Sequence, residues 1–308
     1  MNMNSTKHSL QQLLPHIEIQ EAVVLAPYST FKMGGPAELY ITVHEEKDLI
    51  AAIQVAHALS LPVRVLGGAS NVVISDEGIN GLVIRNMCAI KSVMSETSDT
   101  VRVHISSGYS MTRLAKETAE LGWSGFEHHL GLPGTLGGAL YMNSKWVDPD
   151  KTYYVGDALV SAQVISPDGQ VKQVDKDYFN FGYDYSILQD TRETVISAVY
   201  ELQKKLPEHL VAAGKKSLAY RRATQPHGVA TSGCFFKNVN GKSAGKMIDD
   251  AGLKGYRVGG AFVSDVHANF ILNDGSATTN DVRELLHNVK EKIKSHYGVE
   301  LEQEVDII

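Results

Sequence analysis

The sequence contains only two cysteines, Cys88 and Cys234, which are far apart and form no CxxC pair. This excludes a disulfide framework and a zinc knuckle. No apolar stretch reaches the roughly 18 residues that a membrane-spanning helix requires. The polar start, MNMNSTKHS, also lacks the apolar core of a signal peptide. The chain is therefore predicted to be cytoplasmic, without a membrane partner.

The sequence also lacks an excess of positive charge. It has 29 Lys and Arg residues against 35 Asp and Glu residues, a net charge of -6, and no basic run that would follow a phosphate backbone. We therefore expect no nucleic-acid partner, and no obligate protein partner is indicated. Neither a GxGxxG fingerprint nor a Walker A motif is present, which argues against a classical Rossmann site or a P-loop.

The remaining composition is typical of a globular protein with a sizeable core, at 43% apolar and 21% charged residues. A length of 308 residues suggests about two domains. Helical spacing over 46–58 and 281–296, and short strand-like runs between 159 and 202, predict an α+β fold with a β-meander. We predict an N-terminal extension over 1–19, a first domain over 20–206 and a second domain over 207–308.

Two glycine-rich stretches are the main chemical signal. One reads LGGASN at residues 66–71, and the other reads GLPGTLGGA at residues 131–139. Glycine loops before helices bind phosphates because the backbone approaches the anion closely and its N–H groups point toward it. Ordinary tight turns would explain either stretch alone, but the two together favour a phosphate-binding site.

The order of these motifs resembles the flavin site of the enolpyruvoylglucosamine reductase family. The stretch STFKMGGPA at residues 29–37 precedes them, and the resemblance runs from about residue 20 to the end. It implies an FAD-binding domain of the vanillyl-alcohol oxidase type plus a C-terminal α/β substrate domain, in the family's shorter class. Four further motifs in the last third carry it: RRATQP at 221–226, GCFFKN at 233–238, HANF at 267–270 and LEQEV at 301–305.

The resemblance implies that the protein uses non-covalent FAD, with NADPH as reductant, to reduce the enolpyruvyl group of a UDP-sugar in cell-wall precursor synthesis. The alternatives are an oxidase of the same flavoprotein fold, or a flavin-binding paralogue with altered or lost turnover. No metal is implied. The residues expected to bind the cofactor are Gly67, Gly68, Ser70, Asn71, Gly131, Pro133, Gly134, Thr135, Gly137 and Gly138.

The same resemblance assigns two catalytic residues. Cys234 corresponds to the proton donor, although a lone cysteine is more often a small buried apolar residue. Glu304 corresponds to the catalytic glutamate, and its neighbour Glu302 is the competing candidate. Four further residues are expected to contact the substrate or a nucleotide: Arg222, Lys237, Asn238 and Lys246. The alternative is that their side chains are simply solvated at the surface.

The chain departs from the family pattern at two places. Asp184 stands where the family carries an arginine expected to bind the substrate carboxylate, and residues 144–149 replace the usual Ala-Gly-Ala-Tyr-Gly. A buried anion facing another carboxylate is costly. Three explanations stay open: another cation (Arg192, Lys145 or Arg222) replaces the arginine, the substrate differs, or flavin binds without the family's turnover.

Overall fold

The structure of the protein is a computed structural model that describes residues 3–308, with side chains from Thr6 onward. No helix within these residues is both long enough and apolar enough to cross a membrane. The α-helices of this range, in chain order, are α1 (Met3–Leu13), α2 (Glu46–Ala58), α3 (Met111–Glu120), α4 (Leu136–Tyr141), α5 (Leu188–Thr191), α6 (Pro207–Thr224), α7 (Ala244–Asp250) and α8 (Thr279–Tyr297).

The strands alternate with these helices along the whole chain, as expected for a mixed fold. In chain order they are β1 (Gln20–Val24), β2 (Pro36–Val43), β3 (Val63–Leu66), β4 (Val72–Val73), β5 (Ile79–Asn86), β6 (Lys91–Glu96), β7 (Thr100–Ser106), β8 (Trp123–Ser124), β9 (Lys145–Val147), β10 (Thr152–Tyr154), β11 (Leu159–Ile165), β12 (Val171–Asp175), β13 (Thr194–Lys204), β14 (Ala230–Cys234), β15 (Arg257–Val258), β16 (Ala261–Val263), β17 (Phe270–Asn273) and β18 (Asp306–Ile307).

The chain divides into two compact units that are discontinuous in sequence. The first unit comprises the residues up to Glu21 together with 39–68 and 80–219, and the second comprises 22–38, 69–79 and 220–308. The predicted linear boundaries after residues 19 and 206 do not reproduce this division. The reason is long-range pairing: β4 belongs to the second unit because it pairs in parallel with β18 at the other end of the chain.

The first unit is built on an antiparallel sheet of six strands. Its order is β12-β11-β13-β7-β6, with β8 also pairing with β13. Strands β11 and β12 form a hairpin, but β13 pairs with β11 and not with β12, so the predicted meander is wrong. Side chains alternate along β7, where Val101, Val103 and Ile105 are buried in the core. Helix α3 packs its apolar face on this core, and its N-terminus is capped by Ser110, whose hydroxyl accepts a hydrogen bond from the Arg113 N–H.

A four-stranded sheet has the order β1-β2-β5-β3, and its parallel pair, β3 with β5, lies in the first unit except for Ile79. Helix α2 has the bounds that the helical spacing predicts and buries Leu49, Ala52 and Ile53 in the core beside these strands. Because β3 ends at Leu66, the first glycine stretch begins at the carboxyl end of a strand.

The second unit has a four-stranded antiparallel sheet in the order β14-β17-β16-β15. Helix α8 contains the predicted 281–296 helix and begins with a capping box formed by Thr278 and Asp281. Its buried residues pack with those of α7 in one core that also includes Phe235 and Phe236. The last residues of the chain return to β4 through the β18 pairing.

Candidate active site

In the first unit, Gly67 and Gly68 of the first glycine stretch lie directly against the second glycine stretch. A Cβ atom at Gly67 would lie 2.2 Å from Thr135 Oγ1, and a Cβ at Gly68 would lie 2.6 Å from the Cα of Gly134. Real Cβ atoms do not approach other atoms this closely, so only glycine permits the contact. The structure therefore brings Gly67 and Gly68 together with the 131–139 motif, from which they are well separated in the sequence.

The second of these loops is held in place by main-chain hydrogen bonds. The N–H of Leu136 donates to the Tyr109 carbonyl at 2.9 Å, and the N–H of Gly137 donates to the Ser107 carbonyl at 2.8 Å. At Gly138, by contrast, a Cβ atom would lie 3.8 Å from its nearest neighbour, Thr135 Oγ1. The backbone is thus fixed on one side and open at Gly138. This glycine-lined cradle suits a diphosphate such as that of FAD.

In the second unit, the predicted catalytic residues come together through the main chain. The N–H of Glu304 donates to the carbonyl of Phe235, next to Cys234, at 2.8 Å. The side-chain amide of Asn71 donates to the Glu304 carbonyl at 3.2 Å. Ser232, two residues before Cys234, donates its hydroxyl to the Val72 carbonyl at 2.8 Å. Three segments distant in sequence therefore meet around Cys234 and Glu304.

Cys234 lies at the end of β14, immediately after Gly233, where the pairing with β17 shifts register and forms a bulge. Gly233 has a φ of 84°, a left-handed conformation that favours glycine and re-aims the following side chain. The thiol is half-buried. The other cysteine, Cys88, is fully buried, and burial, reinforced by the nearby Glu46 and Asp48 carboxylates, raises its thiol pKa to about 12. Cys88 is therefore chemically inert.

Arg221, which is not among the expected contact residues, lies near Cys234. Burial lowers the pKa of the Arg221 guanidinium, while interaction with the Cys234 thiol opposes this shift. Arg222 is more exposed than its neighbour and shows no comparable burial. The helical period of α6 could have identified Arg221. This helix buries Leu210, Gly214 and Ser217, and Arg221 follows Ser217 by four residues on the same face.

The other predicted contact residues have partners of their own. Lys237 forms an ion pair with Glu302 at 2.6 Å, with the lysine side chain largely covered. Asn238 accepts a hydrogen bond from the Ala244 N–H at 2.9 Å and so fixes the start of α7. Lys246 is exposed and pairs with Asp250 one helical turn later.

Asp184 is a buried residue of the first unit, and its carboxylate forms an ion pair with Lys145. Lys145 is one of the cations considered as a replacement for the missing arginine. Its charge is neutralised by Asp184, the residue that stands at the arginine position. The two departures from the family pattern, at 184 and at 144–149, are therefore in direct contact.

Comparison with known proteins identifies the family. A model of the UDP-N-acetylenolpyruvoylglucosamine reductase C-terminal domain matches residues 225–308, and a model of the FAD binding domain matches residues 37–175. The UDP-N-acetylenolpyruvoylglucosamine reductase of Trichormus variabilis is 36% identical over 100% of this chain and 92% of its own length. The chain belongs to the UDP-N-acetylenolpyruvoylglucosamine reductase family.

Two further members of this reductase family support the assignment. The reductase of Chlamydia abortus is 38% identical, with 94% of each chain covered. The crystal structure of the reductase from Thermus caldophilus matches with a TM-score of 0.78 and 32% identity, covering 94% of this chain and 99% of that one. The predicted fold class and the prediction of an FAD-dependent oxidoreductase are confirmed.

Proposed function

We propose that the protein catalyses a cytoplasmic step of peptidoglycan precursor synthesis, the NADPH-driven reduction of UDP-N-acetylglucosamine enolpyruvate to UDP-N-acetylmuramate. The observation that carries this proposal is the meeting of Cys234 and Glu304 in the second unit, where the Glu304 N–H bonds the carbonyl of Phe235, the residue after Cys234. A proton donor and a carboxylate on adjacent segments provide the acid–base chemistry that a carbon–carbon double-bond reduction needs.

The cofactor is proposed to bind through the glycine cradle. Gly67 and Gly68 lie so close to Thr135 and Gly134 that no side chain fits at either glycine. Main-chain N–H groups of the cradle are therefore proposed to contact the diphosphate. Ser70, Asn71, Gly131, Pro133, Thr135, Gly137 and Gly138 complete the proposed set. Bound FAD supplies hydride transfer between the nicotinamide and the enolpyruvyl carbon.

Cys234 is proposed to give a proton to the substrate carbon that does not receive the hydride. Thiols hold their proton at neutral pH yet release it more readily than hydroxyl groups do. Glu304 is proposed to assist this transfer as the neighbouring carboxylate. The left-handed Gly233 and the bulge before Cys234 fix the direction of the thiol, which is the preorganisation that proton transfer requires.

The substrate carboxylate needs a cation, and Arg221 is the best placed of the described basic residues that interact with Cys234. Its guanidinium is desolvated and lies within electrostatic range of the Cys234 thiol. A guanidinium binds a carboxylate through two parallel hydrogen bonds. Arg222, Lys237, Asn238 and Lys246 are proposed to contact the nucleotide part of the substrate or NADPH.

The proposal is tested with the purified protein and its flavin absorption spectrum. Under anaerobic conditions, NADPH is expected to bleach the absorption, and UDP-N-acetylglucosamine enolpyruvate is expected to restore it. UDP-N-acetylglucosamine, which lacks the enolpyruvyl group, is the matched control and is expected to restore nothing. In a separate aerobic experiment, faster recovery with oxygen than with the enolpyruvyl nucleotide would identify an oxidase. A spectrum that NADPH leaves unchanged would contradict the proposed reductase.

A further inference from the structure

A set of hydrogen bonds within the first unit ties residues 182–189 to the end of α4, and we call it the α4 clamp. The carbonyl of Tyr141, the last residue of α4, accepts hydrogen bonds from Ser186 Oγ at 2.8 Å and Gln189 Nε2 at 3.1 Å. Asn143 Nδ2 donates to the Gly182 carbonyl at 3.0 Å. The ion pair between Lys145 and Asp184 completes the clamp.

The ion pair of the α4 clamp is largely buried. The Asp184 side chain is 5% exposed and the Lys145 side chain 18% exposed, so the charges interact with little screening by water. The Lys145 ammonium also lies 4.0 Å from the ring centroid of Tyr183, a cation–π contact. Removing either partner would leave a buried charge uncompensated, whereas removing both would leave none.

The backbone at Asp184 fits this arrangement. Its φ of 51° is left-handed, a conformation that aspartate and asparagine adopt more readily than most residues. Asp184 therefore suits the turn that delivers its carboxylate to Lys145, and an arginine at this position would meet both an unfavourable backbone and a second cation.

Helix α4 connects the clamp to the glycine cradle. It spans six residues, from Leu136 to Tyr141, so its ends are about 9 Å apart at the rise of an α-helix. Its first residues, Leu136 and Gly137, make the hydrogen bonds that fix the second glycine loop. A shift at Tyr141 would thus reach, over six residues, the loop proposed to contact FAD.

We propose that Lys145 and Asp184 form one compensated pair, which positions the glycine cradle for the FAD diphosphate. This inference rests on the FAD-binding role assigned to the cradle under the proposed function. Lys145 and Asp184 are thus assigned as positioning residues, which act through α4 on the loop.

The test is a double-substitution cycle on the holoenzyme, with FAD release followed as the rise in flavin fluorescence after dilution. Lys145→Met and Asp184→Asn are each expected to speed FAD release about 10-fold or more, because each strands one buried charge. The double variant is expected to return to within about threefold of the wild type. Lys145→Arg, which keeps the charge, is expected to retain FAD better than Lys145→Met.

The matched control is a second lysine–carboxylate pair of the first unit, Lys172 with Glu193. Its distance is 2.6 Å, and the Glu193 side chain is 4% exposed. Lys172→Met and Glu193→Gln are expected to lower stability in urea unfolding while leaving FAD release within about twofold of the wild type. This separates positioning of the cradle from general loss of stability.

Two outcomes would overturn the inference. One is that the Lys145 and Asp184 variants lose stability as the control variants do but release FAD at the wild-type rate. The other is that the two single effects multiply in the double variant, which would show that the residues act independently. FAD release is measured without substrate, so a wild type that holds FAD but does not reduce the sugar nucleotide contradicts the proposed reaction and not this positioning role.

Discussion

The main-chain N–H of Glu304 donates a 2.8 Å hydrogen bond to the carbonyl of Phe235, so the C-terminal segment lies beside the residue that follows Cys234. The same segment is held at a second point, where Asn71 Nδ2 donates to the Glu304 carbonyl. Both contacts use the main chain of Glu304. They therefore fix the position of this residue without its carboxylate, which is the group proposed to act in the chemistry.

The first prediction concerns Glu304. Glu304→Gln keeps the main-chain contacts and removes the charge, so flavin reduction by NADPH is expected to continue while reoxidation by the enolpyruvyl substrate slows on the order of 10²-fold. Glu302→Gln is the matched control, because Glu302 is exposed and pairs with Lys237. Stopped-flow absorbance of both half-reactions measures the effect. Equal rates for the two variants would remove Glu304 from the proposed chemistry.

The second prediction concerns the two cysteines. Cys234→Ala is expected to leave flavin reduction nearly intact and to slow reoxidation by about 10² or more, because a proton is needed only at that stage. Cys234→Ser is expected to recover part of the loss. A wild-type rate of reoxidation in Cys234→Ala would show that this cysteine is structural and not the proton donor.

The two cysteines are also expected to differ in thiol reactivity. In the native protein, iodoacetamide is expected to modify Cys234 and to spare Cys88, whose pKa is raised to about 12 by burial. Peptide mass spectrometry after alkylation measures both sites in one sample. Modification of Cys88 at the rate of Cys234 would contradict the buried position of Cys88.

The third prediction compares a glycine with open space around it, Gly138, with a tightly packed one, Gly68. Gly138→Ala is expected to preserve the thermal unfolding temperature, since the nearest atom to its Cβ is 3.8 Å away, and to weaken FAD retention. Gly68→Ala places a Cβ 2.6 Å from Gly134 Cα, so it is expected to lower both stability and FAD retention. Undiminished FAD retention in Gly138→Ala would show that the cofactor does not approach this glycine.

The fourth prediction concerns acid stability in the first unit. Burial opposes ionisation of the Glu117 carboxyl, but hydrogen bonds from Lys91, Tyr109 and Arg113 outweigh it and lower its pKa from 4.5 to about 2. The resulting stabilisation is fully present above pH 4.5 and is lost as the pH falls through the folded-state value of about 2.

Replacing this carboxylate is expected to reduce that pH dependence. Glu117→Gln should destabilise the protein by on the order of 1 kcal/mol at pH 7 and flatten the loss of stability between roughly pH 5 and pH 2. Glu120→Gln on the same helix is the control, because its 3.9 Å pair with Lys116 is exposed. Urea unfolding across this pH range measures both. An unchanged pH profile in Glu117→Gln would assign the acid sensitivity to other groups.

Much of the local structure follows from sequence because it depends on neighbours in the chain. The spacing of Leu49, Ile53 and Ala56 predicts α2 with its observed bounds, and Thr278 with Asp281 forms the box that starts α8. The unit division was not predictable in this way. Residues 69–79 belong with the C-terminal unit because β4 pairs with β18, and no local pattern reports a hydrogen bond across that separation.

The sequence by itself determined the family, because ordered motifs of specific length identify it without coordinates, and it also identified Cys234, Glu304 and the glycine stretches as candidates. Only the tertiary structure decided which side chains become partners. In the sequence, Asp184 and residues 144–149 are two separate departures from the family pattern. In the structure, the buried Asp184 carboxylate requires a cation beside it, and Lys145 provides that cation. Pairing energies depend on distance in space, and that distance is set by the fold.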